Sequence, residues 1–214
     1  MSCWALIPVK APGLGKTRLA PALDPREREA LVSGMLRHVL DTVSGCRAIQ
    51  RVCVLGPSRP NLGSKVLRFD DPGPDLNGAL ESAMAAITAA GPDRLLVLPA
   101  DLPCLGPADV ERLANLGPET VGIAPDRHRT GTNALSLPLP TAIRFSFAFG
   151  QDSFSTHCEQ ATNLGFSVEA ILSCGLEKDI DDPLDLADAV RVLRRIYAPA
   201  LNGRSPSGRR RRPD

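Results

Sequence analysis

Seven short runs of aliphatic and β-branched residues alternate along this chain with longer segments of helical period. That alternation limits the fold to strands covered by helices. The strand candidates are Cys3 to Val9, Arg51 to Leu55, Lys65 to Phe69, Arg94 to Leu98, Val121 to Ala124, Ala134 to Leu137 and Ser167 to Leu172. Between the first two, Asp24-Pro25 supplies a helix cap followed by proline at the first helical position. Behind that cap Val32, Met35, Leu36, Val39, Leu40 and Val43 fall on one helical stripe. Further helices are expected over Leu76 to Ile87, Pro107 to Leu116 and Ser153 to Leu164. A last one starts at Asp182-Pro183 and carries Leu186, Val190, Leu193 and Ile196. Such a series predicts an α/β fold, a mostly parallel sheet sandwiched by helices, with ligands beyond the carboxyl ends of the strands.

Length and charge narrow the function. The 214 residues suit one domain, and 43% hydrophobic residues supply its core. A net charge of +1 and only 4% aromatic residues argue against nucleic acid as a partner. No apolar run is long enough to span a membrane. The six cysteines form no C-x-x-C pair, and His38, His128 and His157 have no neighbour at zinc-ligand spacing. A cytoplasmic protein with reduced thiols is the expectation. The domain is expected over residues 1–200, with a solvated, disordered basic tail over 201–214 that includes Arg204, Arg209, Arg210, Arg211 and Arg212.

Three constellations follow strands. After the first comes Lys10-Ala11-Pro12-Gly13-Leu14-Gly15-Lys16-Thr17-Arg18, where Gly13 and Gly15 permit close backbone approach and three cations lie within nine residues. This composition suits a polyphosphate, although a solvated basic loop would read alike. Gly15-Lys16-Thr17 matches the end of a P-loop, but the glycine required five residues earlier is Lys10. After the central strand stands Pro99-Ala100-Asp101-Leu102-Pro103, whose carboxylate suits Mg²⁺ at nucleotide phosphates or, more plainly, a turn. Late in the chain Asp179-Ile180-Asp181-Asp182 crowds three carboxylates. Asp182 suits the cap of the final helix, while Asp179 and Asp181 alternate onto one face and can reach one ion with Asp101. The third constellation pairs Arg129-Thr130-Gly131-Thr132-Asn133 with Phe149-Gly150-Gln151-Asp152-Ser153. It could bind one anion or form two polar turns.

These stretches resemble the guanylyltransferases of deazaflavin coenzyme F-420 biosynthesis, from about Trp4 to Val190. The resemblance rests on I-P-V-K with G-K-T-R-L-A, P-A-D-L-P, G-T-N-A-L with F-G-Q-D-S-F, and D-I-D-D-P-L-D-L. It implies the Rossmann-like, GT-A-like fold of nucleotide-diphospho-sugar transferases. It also implies transfer of GMP from GTP to the phosphate of 2-phospho-L-lactate, phosphoenolpyruvate or 3-phospho-D-glycerate, with release of pyrophosphate. On that basis Lys10, Lys16 and Arg18 would face the GTP phosphates, with Gly13 and Gly15 in the same loop, and Asn77 would read guanine. Asp101 with Asp179 or Asp181 would hold Mg²⁺. Lys10, Lys16, Arg18 and Asp101 would be the catalytic set, and Thr132, Gly150 and Ser153 would grip the acceptor phosphate. A downstream lactyl-transfer enzyme is the implied partner, and a homodimer is compatible with the sequence. Two competing readings are a P-loop-like small-molecule kinase built on Gly15-Lys16-Thr17, and a non-catalytic nucleotide-binding domain.

Overall fold

In the computed structural model, which describes residues 1–11, 13–59, 62, 66–70, 75–187 and 189, the first strand is β1 (Cys3–Pro8). It is followed by α1 (Pro25–Gly45), β2 (Ile49–Leu55), β3 (Leu67–Phe69), α2 (Leu76–Ala89) and β4 (Arg94–Val97). The chain continues through α3 (Pro107–Ala114), β5 (Thr120–Pro125), β6 (Thr132–Pro138), α4 (Ser153–Asn163) and β7 (Ser167–Ala170). Residues 183–187 begin a further helix. The expected positions Val190, Leu193 and Ile196, and the basic tail 201–214, lie outside the described residues.

Among the described residues, seven strands join one sheet in the order β3-β2-β1-β4-β6-β5-β7. The β3-β2, β2-β1, β1-β4 and β5-β7 pairs are parallel. β6 alone runs against its neighbours, pairing antiparallel with both β4 and β5. The sheet is thus mostly parallel, as expected, with one reversed strand.

Strand alternation splits the core into two layers. Ala5 and Ile7 of β1 face Leu36, Val39 and Val43 of α1 on one side. On the other side Leu6 faces the layer of Leu80, Met84 and Ile87 from α2. Helices α1 and α3 start at chemical signals. Asp24 accepts from the Glu27 N–H at 2.8 Å while the Glu27 carboxylate accepts from the Asp24 N–H at 2.9 Å, a reciprocal cap ahead of Pro25. Asp109, inside the first turn of α3, reaches back to the Gly106 N–H at 2.9 Å.

A third, smaller cluster matters most for function. Leu19, Leu31, Met35, Ile180 and Ala189 pack together, with Leu23 and Leu186 against them. It joins the segment after β1, one face of α1 and the late acidic segment. At the carboxyl edge of the sheet it holds the basic segment beside the acidic one.

Candidate active site at the carboxyl edge of the sheet

Beyond β1 the chain turns out of the sheet, and Gly13 takes a left-handed φ of +80°. Its N–H donates to Glu29 Oε2 at 2.9 Å. Arg59 donates to Glu29 Oε1 at 2.9 Å and to the Lys10 carbonyl at 2.6 Å. Burial would raise the Glu29 carboxyl, but the Gly13 N–H and the Arg59 guanidinium outweigh it and hold the carboxyl low. Glu29 and Arg59 therefore clamp both ends of the loop that carries Lys10 and Gly13. Nothing in the local pattern signals either residue, because the contacts cross 16 and 49 positions.

Lys16 also adopts a left-handed backbone, at φ 56°, before a single 3-10 turn over Thr17–Leu19. A P-loop needs a helix opening at its Lys-Thr pair. Here α1 begins only at Pro25, so the P-loop geometry behind the kinase reading does not form. Instead Leu19 drops into the third cluster and Lys16 turns toward the carboxylates. Its Nζ donates to Asp101 and, at 2.8 Å, to Asp181. Burial opposes its charge, yet Asp101 and Asp181 more than compensate, and the ammonium is pushed up to about 12. Lys10 and Arg18 are exposed nearby and, after Lys16, help hold the Asp181 carboxyl low against the opposing effect of burial.

Asp101, Asp179 and Asp181 each present a carboxylate oxygen within 4.8 Å of the others. The alternation read from sequence explains the geometry. Ile180 is buried in the third cluster, so its neighbours on either side must face away from it together. Burial, reinforced by Asp101 and Asp181, pushes the Asp179 carboxyl up to about 6. Three hard oxygen donors that repel one another, close to basic side chains suited to phosphate, fit a divalent cation such as Mg²⁺.

The acidic segment is anchored by a residue that sequence reading did not single out. Asp185 Oδ2 accepts the N–H groups of Asp181 at 2.9 Å and Asp182 at 3.0 Å, while its other oxygen takes Arg127. Asp182 in turn caps the helix at Pro183, accepting from Leu184 at 2.8 Å and Asp185 at 2.9 Å. Arg127 belongs to the β5-β6 turn, so one ion pair ties the acidic segment to the loop leading to Thr132.

Thr132 and Ser153 lie in direct contact. The Thr132 N–H donates to Ser153 Oγ at 2.9 Å, at the start of α4. Gly150, at φ +140°, lies between Phe149 and that helix. Asn77 pairs with the backbone of Phe149. Its amide accepts from the Phe149 N–H at 2.9 Å and donates to the Phe149 carbonyl at 3.2 Å, holding the segment that leads to Gly150. Leu76 beside it lines a cleft shared with the Lys10–Lys16 loop. That cleft has a volume of about 1110 Å³, and its walls include Lys10, Lys16, Arg68, Asp70, Asp101 and Asp181. Its size accommodates a nucleotide.

The fold is the α/β, GT-A-like fold of solved nucleotidyltransferases. A solved protein from Desulfovibrio desulfuricans G20 shares it, superposing with a TM-score of 0.75 at 20% identity and covering 94% of each chain. Within that class, the chain belongs to the family described as "Guanylyl transferase CofC like", whose model matches residues 3–191. It is 40% identical over 196 residues to a phosphoenolpyruvate guanylyltransferase of Rubrobacter xylanophilus, covering 87% of this chain and 93% of the relative. It is 35% identical over 196 residues to a 2-phospho-L-lactate guanylyltransferase of Methanothermobacter thermautotrophicus, covering 89% and 85%. Among the described residues no helix is long and apolar enough to cross a membrane.

Proposed function

We propose that this protein transfers GMP from GTP to the phosphate of a three-carbon acid, with Mg²⁺ as cofactor, as a step of coenzyme F-420 biosynthesis. The observation that carries the reading is the convergence of Asp101, Asp179 and Asp181 beside the Lys10–Arg18 loop. A phosphate oxygen of the acceptor attacks the α-phosphorus of GTP, the bond to the β-phosphate bridging oxygen breaks, and pyrophosphate leaves. Phosphate is already ionised at neutral pH, so no general base is needed, and no Ser-His-Asp arrangement is expected. Mg²⁺, held by Asp101, Asp179 and Asp181, would supply charge neutralisation at the phosphates. Lys10, Lys16 and Arg18 would offset the charge that develops on the leaving pyrophosphate. Thr132, Gly150 and Ser153 would hold the acceptor phosphate in line. Guanine reading by Asn77 would require its amide to release Phe149.

Phosphoenolpyruvate is the first acceptor to examine, given the Rubrobacter relative, with 2-phospho-L-lactate and 3-phospho-D-glycerate beside it. The test is incubation with Mg-GTP and each acceptor separately, products read by mass, with a lactyl-transfer enzyme added to draw the product onward. A guanylylated acid and pyrophosphate are expected with at least one acceptor. No such product with any of the three defeats the reading, and release of GDP would restore a kinase.

A further inference from the structure

His157 lies one helical turn after Ser153 on α4, so both side chains share a face. Its side chain is fully buried, between the rings of Phe145 at 5.5 Å and Phe149 at 5.2 Å. Both ring nitrogens are engaged. The backbone N–H of Ala148 approaches Nε2 at 2.9 Å, and Thr132 Oγ1 lies 2.9 Å from Nδ1. A backbone amide can only donate, so Nε2 must be a bare acceptor. Burial lowers the imidazole to about 4, which keeps the ring neutral at physiological pH. Its single proton therefore sits on Nδ1 and is donated to Thr132 Oγ1.

This assignment settles the direction of the threonine hydroxyl. Oγ1 already receives the imidazole proton, so its own proton must be given elsewhere. Ser153 is in the same position, because its Oγ receives the Thr132 N–H at 2.9 Å. Each hydroxyl thus accepts from one protein donor and keeps its own proton to give. An ionised phosphate offers only acceptors, so a phosphate site requires this polarity. The opposite tautomer would make Thr132 donate to the ring and turn oxygen lone pairs toward the anion.

We propose that His157 is a positioning residue that sets the donor polarity of the acceptor-phosphate site, its Nδ1–H fixing the Thr132 hydroxyl as a donor to a phosphate oxygen. The proposal rests on Thr132 and Ser153 facing the acceptor, as in the function proposed above. It adds the imidazole that orients one of them and ties Thr132 to the Phe145–Phe149 segment through Ala148.

The test has a spectroscopic and a binding arm. Long-range proton–nitrogen correlation spectra of the ¹⁵N-labelled protein read the tautomer without any substrate. The Nδ1–H form is expected, and an Nε2–H or doubly protonated ring overturns the proposal. The binding arm compares H157N, H157Q, T132S and T132V by the KM for phosphoenolpyruvate, the KM for GTP and the dissociation constant of inorganic phosphate. Asn places an amide donor where Nδ1 stood, whereas Gln places an acceptor toward Ala148 and leaves Thr132 without its donor. Losing one oriented donor to a charged group corresponds to a roughly 10- to 100-fold loss of phosphate affinity. H157Q and T132V are expected to show that loss with GTP KM unchanged, H157N and T132S to recover most of it, and T132V/H157Q to be no worse than T132V alone. Should H157Q not fold, the T132V and T132S pair with H157N carries the comparison. Equal affinities across the set, or additive losses in the double variant, overturn the proposal. If wild type yields no guanylylated product while phosphate binding follows this pattern, the function falls and the role of His157 stands. If product forms and H157Q binds like wild type, the reverse holds.

Discussion

Asp179→Asn should make the metal-free protein more stable at pH 7 while impairing its response to Mg²⁺. Burial, followed by Asp101 and Asp181, raises the Asp179 carboxyl from 3.8 to about 6. The folded state therefore binds this proton more tightly than the unfolded chain, and stability falls as pH rises through the interval between the two values. That interval of about 2.2 pH units is worth about 3 kcal/mol at about 1.36 kcal/mol per unit. Asparagine keeps the shape and removes the charge. For a chain of this size, about 3 kcal/mol corresponds to a rise in Tm of roughly 6 to 12 °C. Thermal unfolding followed by circular dichroism in chelator-treated buffer provides the measurement, repeated from pH 4 to pH 7.5. The gain should be close to zero near pH 4 and complete above about pH 6.5. Millimolar Mg²⁺ should then raise the Tm of wild type more than that of the variant, because the ion offsets the very repulsion the substitution removes. A variant no more stable than wild type at pH 7 without metal would refute the electrostatic reasoning, and so would a gain that is larger at pH 4 than at pH 7.

Asp185→Ala removes the acceptor for two backbone N–H groups and the partner of Arg127. Loss of the cap and pair should cost about 2 to 3 kcal/mol in thermal unfolding and should raise the Mg²⁺ concentration needed for half-maximal turnover, since Asp181 loses its anchor. Arg94→Met should destabilise by about 3 kcal/mol without changing the KM for GTP. The fully buried Arg94 guanidinium donates to Ser136 Oγ at 2.7 Å and to the carbonyls of Gly117, Leu116 and Thr120, at the amino end of β4 away from the cleft. A changed KM with unchanged Tm would reverse that assignment.

What could be read from the sequence is local. Asp24-Pro25, the apolar stripe of α1 and the Asp182 cap declare themselves within a few residues, and each forms as expected. Asp101, Asp179 and Asp181 were legible because strand-end address and two-residue alternation say which way a side chain faces. The reversal of β6 was not, because Ala134 to Leu137 has the same apolar character in either direction; its orientation depends on pairing with β4 and β5. Glu29, Arg59, Arg127, Asp185 and His157 were missed for a related reason. Each has a partner between 9 and 58 positions away, although Asp185 also accepts from Asp181 and Asp182 close by, and a lone polar residue in a loop or helix carries no periodicity to mark it. Arg94 is the sharpest case. At the head of R-L-L-V-L nothing local marks it, yet it is fully buried and donates to the carbonyl oxygens of Leu116 and Gly117 in the turn before β5.

The small cluster of Leu19, Leu31, Met35 and Ile180 also bears on when the molecule becomes competent during synthesis. Lys16 and Asp181 are separated by 165 positions, so a growing polypeptide has exposed its basic loop long before the last carboxylates emerge from the ribosome, a few residues behind β7, the final strand of the sheet. Only when Ile180 seats against α1 do the acids arrive beside the lysine. A nascent chain ending before that point would hold no complete cation cradle, and nucleotide turnover would begin with the final clasp.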